Sequence, residues 1–172
     1  EFMDDVFAID EKRLSRILYL YRKHINKPFS CFLHPQYVNE KMIVNLKLSS
    51  CFWLKMGVQS GNENYRKKYL NRYEKNQDLI RIAKLCHKHK LNFSFDHIFN
   101  LPKESKANLI EATKLYNLCR PTIINFGSLI YLPKTDIIKH GLREKILNLQ
   151  DIENINQGKD STSQSSNIIR LS

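Results

Sequence analysis

Short apolar runs alternate with amphipathic stretches along most of this chain. Leu14, Ile17, Leu18 and Tyr21 recur at helical spacing behind Asp10, whose carboxylate suits an N-cap. Pro28 stops that stretch, and Phe29 to Leu33 reads as a strand. Asn39 can cap a second helix that buries Met42, Ile43 and Leu46. Phe52 to Val58 predicts the next strand, followed by a basic helix from about Glu63. Another helix runs from about Asn76 to His89, with Leu79, Ile82, Ala83 and Cys86 on its buried face. Asn92 to Phe99 is a strand. Ser105 caps a helix carrying Leu109, Ala112, Tyr116 and Cys119 on one face, which Pro121 ends. Thr122 to Ile130 forms the last strand, and Glu1 to Met3 reads as the stub of a first one.

Strands separated by helices of this length imply parallel βαβ units. Right-handed crossovers would wind five such strands into an open or closed barrel. The fold class is therefore α/β, with a barrel over residues 1–140 and a polar C-terminal extension or linker over residues 141–172. From Asp151 onward the sequence is polar and Ser-rich, which reads as a loose tail. The chain opens in mid-strand without a methionine before Glu1, which reads as a fragment.

The 172 residues suffice for one domain, and 42% hydrophobic with 26% charged residues is ordinary for a soluble globular protein. No apolar run approaches the roughly 20 residues of a membrane span, and no signal-peptide layout opens the chain. A cytoplasmic protein is the default. Cys31, Cys51, Cys86 and Cys119 are scattered through apolar stretches and read as small core hydrophobes. A disulfide framework or a metal site built from these four alone does not fit their spacing. The formal charge is +11. Much of it lies in Arg66, Lys67, Lys68, Arg72, Lys75, Arg81, Lys84, Lys88 and Lys90. Nucleic acid is one reading of that segment; a solvated helical face is the other. The second is favoured because aromatic residues are not interleaved as a stacking platform needs.

In parallel barrels the active site gathers at the C-terminal ends of the strands. Read in order, those ends carry Asp4 and Asp5, then His34, then Gly57-Val58-Gln59-Ser60-Gly61, then Asp96, then Tyr131 to Thr135. In Asn92–Phe99, Phe93, Phe95, His97 and Phe99 share one face by period two, and Ser94, Asp96 and Ile98 share the other. The Phe face packs on helices, so Asp96 points into the lumen as a ligand-facing carboxylate or as a structural one with a neighbouring donor. Gln59 sits between glycines that let backbone approach a ligand, or is a plain turn glutamine. Arg72 could hold a ligand carboxylate through two parallel hydrogen bonds, or lie solvated at the surface. Among the histidines only His34 stands at the rim, and one His is a poor metal signal.

"EFMDDVF", "GVQSGNENYRKKYLNR", "DHIFNLPKES" and "YLPKT" occur in one order. Together they resemble successive motifs of radical S-adenosylmethionine (SAM) enzymes over about residues 1 to 140. The pattern is nearest the cobalamin-binding-domain type, and coproporphyrinogen oxidases and methylthiotransferases share parts of it. The resemblance implies a partial parallel (βα)6 TIM-like barrel that here lacks its first strand–helix unit. It implies SAM and a [4Fe-4S] cluster as cofactors, the cluster ligands lying in a cysteine loop outside this chain, with cobalamin in the methyl-transferring members. It also implies a flavodoxin- or ferredoxin-type reductant as partner.

Carried over by position, Asp4 and Asp5 stand near the methionine amino group of SAM. Gln59 and Asp96 match contacts to the ribose hydroxyls, with Ser60 beside them. Arg72 matches an arginine that meets the methionine carboxylate. No catalytic or metal-ligating residue is assigned to the chain itself. The pattern departs at Asn100 and Lys134, where many members have glycine. Two other readings stand beside this one: a basic RNA-binding module on a degenerate α/β scaffold, and a truncated pseudoenzyme that only assembles with partners.

Overall fold

The computed structural model describes residues 1–4 and 6–159. Asp5 and the Ser-rich end from residue 160 onward lie outside the described residues. Helix α1 spans Glu11–His24, opened by Asp10, whose carboxylate accepts from Arg13 N at 2.7 Å. Strand β1 covers Phe29–Phe32, followed by a 3-10 turn at Pro35–Tyr37. Helix α2, Glu40–Leu48, starts at Asn39, whose side chain accepts from Met42 N. Strand β2 is Cys51–Gln59, α3 is Glu63–Leu70 and α4 is Asn76–Lys88. Strand β3 is Asn92–Phe99, α5 is Lys106–Cys119 and β4 is Ile123–Ser128. Two short helices close the described chain, α6 at Asp136–Arg143 and α7 at Leu149–Asn156.

The four strands pair in parallel and in sequence order, β1-β2-β3-β4. Parallel neighbours joined through helices form the α/β architecture of a partial TIM-like barrel, with all strand C-termini at one rim. One core serves sheet and helices. Leu54, Met56 and Phe95 are fully buried and meet Leu14, Leu18, Ile43 and Ile82 of the helices. The four cysteines are free thiols inside the fold, as their apolar neighbours in the sequence indicate.

Two elements differ from the sequence reading. Glu1 to Met3 forms no strand. Phe2 N donates to Ser30 O and Phe7 N to Phe32 O, both at 2.9 Å, so the segment touches β1 at two separated points without a continuous ladder. Aromatic packing holds it there, with the rings of Phe2 and Phe7 4.4 Å apart and Phe2 set edge-on to Phe29 at 5.3 Å. The polar stretch from Asp151 does not begin as a loose tail either. Asn148 and Asp151 cap α7 reciprocally, with bonds of 3.0 and 2.9 Å. Ile152 and Ile155, three residues apart, join Tyr131, Ile138 and Leu147 in a small second apolar cluster. Two well-placed isoleucines and a capping box outweigh a polar composition.

Candidate functional site

The C-terminal ends of β1, β2 and β3 open on a cleft of about 480 Å³. Phe32, Leu33 and His34 line it from β1, Gly57 and Gln59 from β2, and Asp96 from β3. Arg72 enters from the α3–α4 connection, and Met3 and Val6 cover it from the N-terminal segment. Apolar walls with a few placed polar groups are the usual lining of a small-molecule site.

Gln59 is the most unusual residue of this cleft. The β2–β3 ladder shifts register between Gly57 and Gln59, and Gln59 takes a left-handed φ of 67°. Such a conformation is uncommon for a residue with a side chain and is maintained against a cost of about 1 kcal/mol or more. Its Oε1 is buried and has no hydrogen-bond partner among the described residues. Gly57 makes the placement possible: a Cβ there would lie 2.6 Å from Gln59 Nε2 and 3.7 Å from Arg72 Nη1.

Beneath the cleft lies a buried charge network. Glu74 is 3% exposed and Arg66 is 0% exposed. Arg66 donates from Nη1 to Ser60 O at 2.7 Å, and from Nη2 to Glu74 O and Asn76 Oδ1, both at 2.8 Å. Arg72 donates from Nε to Glu74 Oε1 at 2.8 Å and from Nη2 to Gly57 O at 2.5 Å. Its Nη1 makes no hydrogen bond among the described residues. Burial alone would raise the Glu74 carboxyl, yet the bond and charge of Arg72, with Arg66 behind, hold it below the usual range. His34 accepts from Gln36 N through Nδ1, which puts the neutral-ring proton on Nε2, 3.9 Å from Glu74 Oε2. Burial, then the Arg72 charge, pushes the His34 pKa down.

Asp96 stands opposite Gly57 in the β2–β3 ladder and opposite Asn125 in the β3–β4 ladder. It is half-buried, and its Oδ1 accepts from Asn125 Nδ2 at 2.9 Å. The period-two reading of β3 places its neighbours correctly. Phe93, Phe95 and His97 are buried on the helix side, where His97 Nδ1 meets the Tyr116 hydroxyl at 2.7 Å. Burial pushes His97 down to about 4.

The other anticipated residues fall differently. Asp4 is exposed, and the cleft is lined by Met3 and Val6 on either side of it. Asp5 lies outside the described residues. Ser60 is fully buried in the turn, its N–H bonded to Val58 O and its carbonyl to Arg66. Arg66, Glu74, Asn76 and Asn125 were not anticipated. Arg66 stands three residues before Tyr69 on α3, and in a Lys-rich helix that spacing carries no sign of depth; its burial beside Tyr65 and Tyr69 comes from tertiary packing. At Asn100 and Lys134 the backbone is left-handed, with φ of 62° and 63°, so the turns favoured by glycine are kept with side chains in place.

Loop 100–104 carries a titratable group beside this rim. Glu104 Oε2 accepts from Asn100 N at 3.0 Å, and burial pushes the carboxyl up to about 7, against backbone hydrogen bonds from Asn100 and Leu101 that pull it down. The folded chain keeps this proton above the ordinary 4.5 at which an unfolded chain loses it. Stability from this group is therefore full at low pH and declines as pH rises from about 4.5 to 7. Glu104→Gln is expected to flatten that decline. Urea midpoints should show the variant ahead by on the order of 1 kcal/mol at pH 8, after solvent screening, and level with the parent at pH 4.

The basic segment is not one surface. Arg66 is inside, Arg72 is held by Glu74, Arg81 pairs with Asp78 and Lys88 with Glu40. Among the described residues no three His, Cys, Asp or Glu side chains stand together as a metal site. The buried cysteines do not form a thiolate set that fits a [4Fe-4S] cluster. No helix among the described residues is long and apolar enough to cross a membrane.

The described residues form a parallel α/β partial barrel with a mixed polar cleft at its C-terminal rim. Among solved structures it is the fold of radical SAM enzymes. The radical SAM methyltransferase TsrM from Kitasatospora setae, bound to cobalamin and a [4Fe-4S] cluster, matches with a TM-score of 0.63 and 16% identity, over 73% of this chain and 26% of that one. TsrM with tryptophan and the SAM analogue aza-SAM matches with a TM-score of 0.62 at 16% identity over the same shares, 73% and 26%. Coproporphyrinogen III oxidase (HemN) from Escherichia coli, a radical SAM enzyme, matches with a TM-score of 0.64 and 18% identity, over 86% of this chain and 35% of that one. The chain thus spans about a quarter to a third of these structures, 26% to 35%. No family model and no curated protein matches the sequence.

Proposed function

We propose that this chain is the SAM-cradling part of a radical SAM enzyme. The observation that carries the reading is Gln59. A strained residue whose buried Oε1 has no partner among the described residues stands at the rim of this fold, in a cleft shared with Asp96 and Arg72. Asp96 accepts from one ribose hydroxyl, and Gln59 accepts from the other once its amide turns to bring Oε1 into the cleft. Arg72, already oriented by Glu74, offers Nη1 to the methionine carboxylate. In such enzymes SAM supplies an adenosyl radical when cleaved reductively at a [4Fe-4S] cluster, with electrons from a flavodoxin- or ferredoxin-type donor. The residues described here hold and orient SAM; they contribute no cluster ligand. Cobalamin-dependent methyl transfer is the finer form of this reading, supported by the likeness to TsrM.

Gln59→Gly separates binding from folding. It removes a left-handed side chain and a buried Oε1 with no partner among the described residues, so it should stabilise the free chain by about 1 kcal/mol. The same change should weaken SAM or S-adenosylhomocysteine about tenfold in calorimetric titration, as should Asp96→Asn. Gly57→Ala should weaken binding similarly, by forcing the Gln59 amide aside. Unchanged affinity in all three variants, or no saturable binding of either nucleoside to the parent chain, contradicts the assignment.

A further inference from the structure

We propose that the groove between α3 and α6 binds a single-stranded nucleic-acid backbone. The two helices leave the same rim as the cleft, α3 after β2 and α6 after β4, and they pack on one another. Tyr69 and His140 hold them together, their rings edge-on at 5.0 Å. The groove they enclose measures about 320 Å³ and is lined by Lys67, Lys68, Lys139 and Arg143, with Asp136 as its carboxylate. Lys139 pairs with Asp136 at 2.6 Å and Arg143 with Glu144 at 3.3 Å, which leaves Lys67 and Lys68 without an acidic partner among the described residues.

The manner of exposure selects the ligand. The side chains of Lys139 and Arg143 are 80% and 59% exposed, and Lys67 and Lys68 are exposed too. A single small anion needs donors that converge and are partly desolvated. Solvated cations spread along two helices suit a chain of phosphates, whose binding draws on counterion release. An aromatic ring completes the surface. Tyr73 is 59% exposed, with Lys67 Nζ 6.0 Å from its ring, and Asn71 of the groove accepts its hydroxyl at 2.7 Å. An exposed, anchored tyrosine beside a cationic track is a platform for an unpaired base. The sequence hid this arrangement because half of the cations come from α6, far along the chain.

The test is fluorescence anisotropy with a labelled 12-nucleotide RNA and its DNA counterpart, over a salt series. The affinity should fall with salt at a log–log slope of about −2 to −3. Lys67→Gln with Lys68→Gln, and separately Lys139→Gln with Arg143→Gln, should each weaken binding about tenfold and reduce the slope by roughly 1.4. Tyr73→Leu should weaken it severalfold without changing the slope. Lys12→Glu with Arg16→Glu, on the exposed side of α1, should leave binding unchanged. Gln59→Gly should leave it unchanged too, so a failure of the SAM reading does not decide this one. Equal loss from the α1 pair overturns the proposal. So does tighter binding of a duplex, displacement by low millimolar inorganic phosphate, or equal affinity for poly-glutamate.

Discussion

Arg66→Ala lowers the stability of this chain by roughly 3–5 kcal/mol, a large part of what a domain of this size possesses. The cause is what it leaves behind. Glu74 is buried and ionised, and Arg66 and Arg72 together supply its countercharge. Without Arg66, the carboxylate keeps only one guanidinium at Nε distance, and the carbonyls of Ser60 and Glu74 lose their donors. Because the turn after β2 and the α3–α4 connection both hang on these bonds, the cleft above them loosens as well. Two companion variants keep the prediction decisive. Arg66→Lys retains the charge without the planar fork and should fall between parent and Ala variant. Adding Glu74→Gln to Arg66→Ala should recover part of the loss, because it removes the stranded charge. Urea unfolding measures all three. A loss below about 1 kcal/mol for Arg66→Ala would show the pair to be solvated rather than buried.

Gly61→Ala is the second severe change. An added Cβ would sit 2.2 Å from Ala112 Cα and 2.4 Å from Ala112 N, inside the backbone of α5. No rotamer relieves contact with a helix backbone, so α5 or the β2–α3 turn must move, at a cost of about 3 kcal/mol or more. Ala112→Gly removes the methyl at 2.8 Å but neither backbone atom, so it should not restore the melting temperature of Gly61→Ala. Full rescue would place the clash on the side chain and overturn this account. The turn that carries Gln59 into the cleft is thus clamped from one side by α5 and from the other by Arg66.

Alternation and capping made most of the fold legible. Rings at every second position, Phe93, Phe95, His97 and Phe99, made β3 legible and set Asp96 on the opposite face. Asp10, Asn39 and Ser105 announced three helix starts, and each caps as its side chain suggests. Period and propensity say nothing of depth, however. Arg66 and Glu74 look like members of a charged surface helix and loop, and only tertiary packing reveals that they neutralise each other inside. The N-terminal segment has strand-forming residues, but its two separated hydrogen bonds to β1 do not make a ladder. His34, Gln59 and Asp96 were readable as rim positions because strand ends converge in a parallel sheet, whereas Asp4 and Ser60 do not line the cleft. The orphaned Oε1 of Gln59, which gives that rim its chemical demand, depends on a bulge that no pattern announces.

The most direct measurement is a crystal structure of the chain with SAM or S-adenosylhomocysteine bound. The nucleoside should lie in the cleft at the C-terminal ends of β1 to β3. Its ribose hydroxyls should lie within hydrogen-bond distance of Gln59 Oε1 and Asp96, and its methionine-derived carboxylate against Arg72 Nη1. A nucleoside bound elsewhere, with Gln59 Oε1 still unpaired, would contradict it.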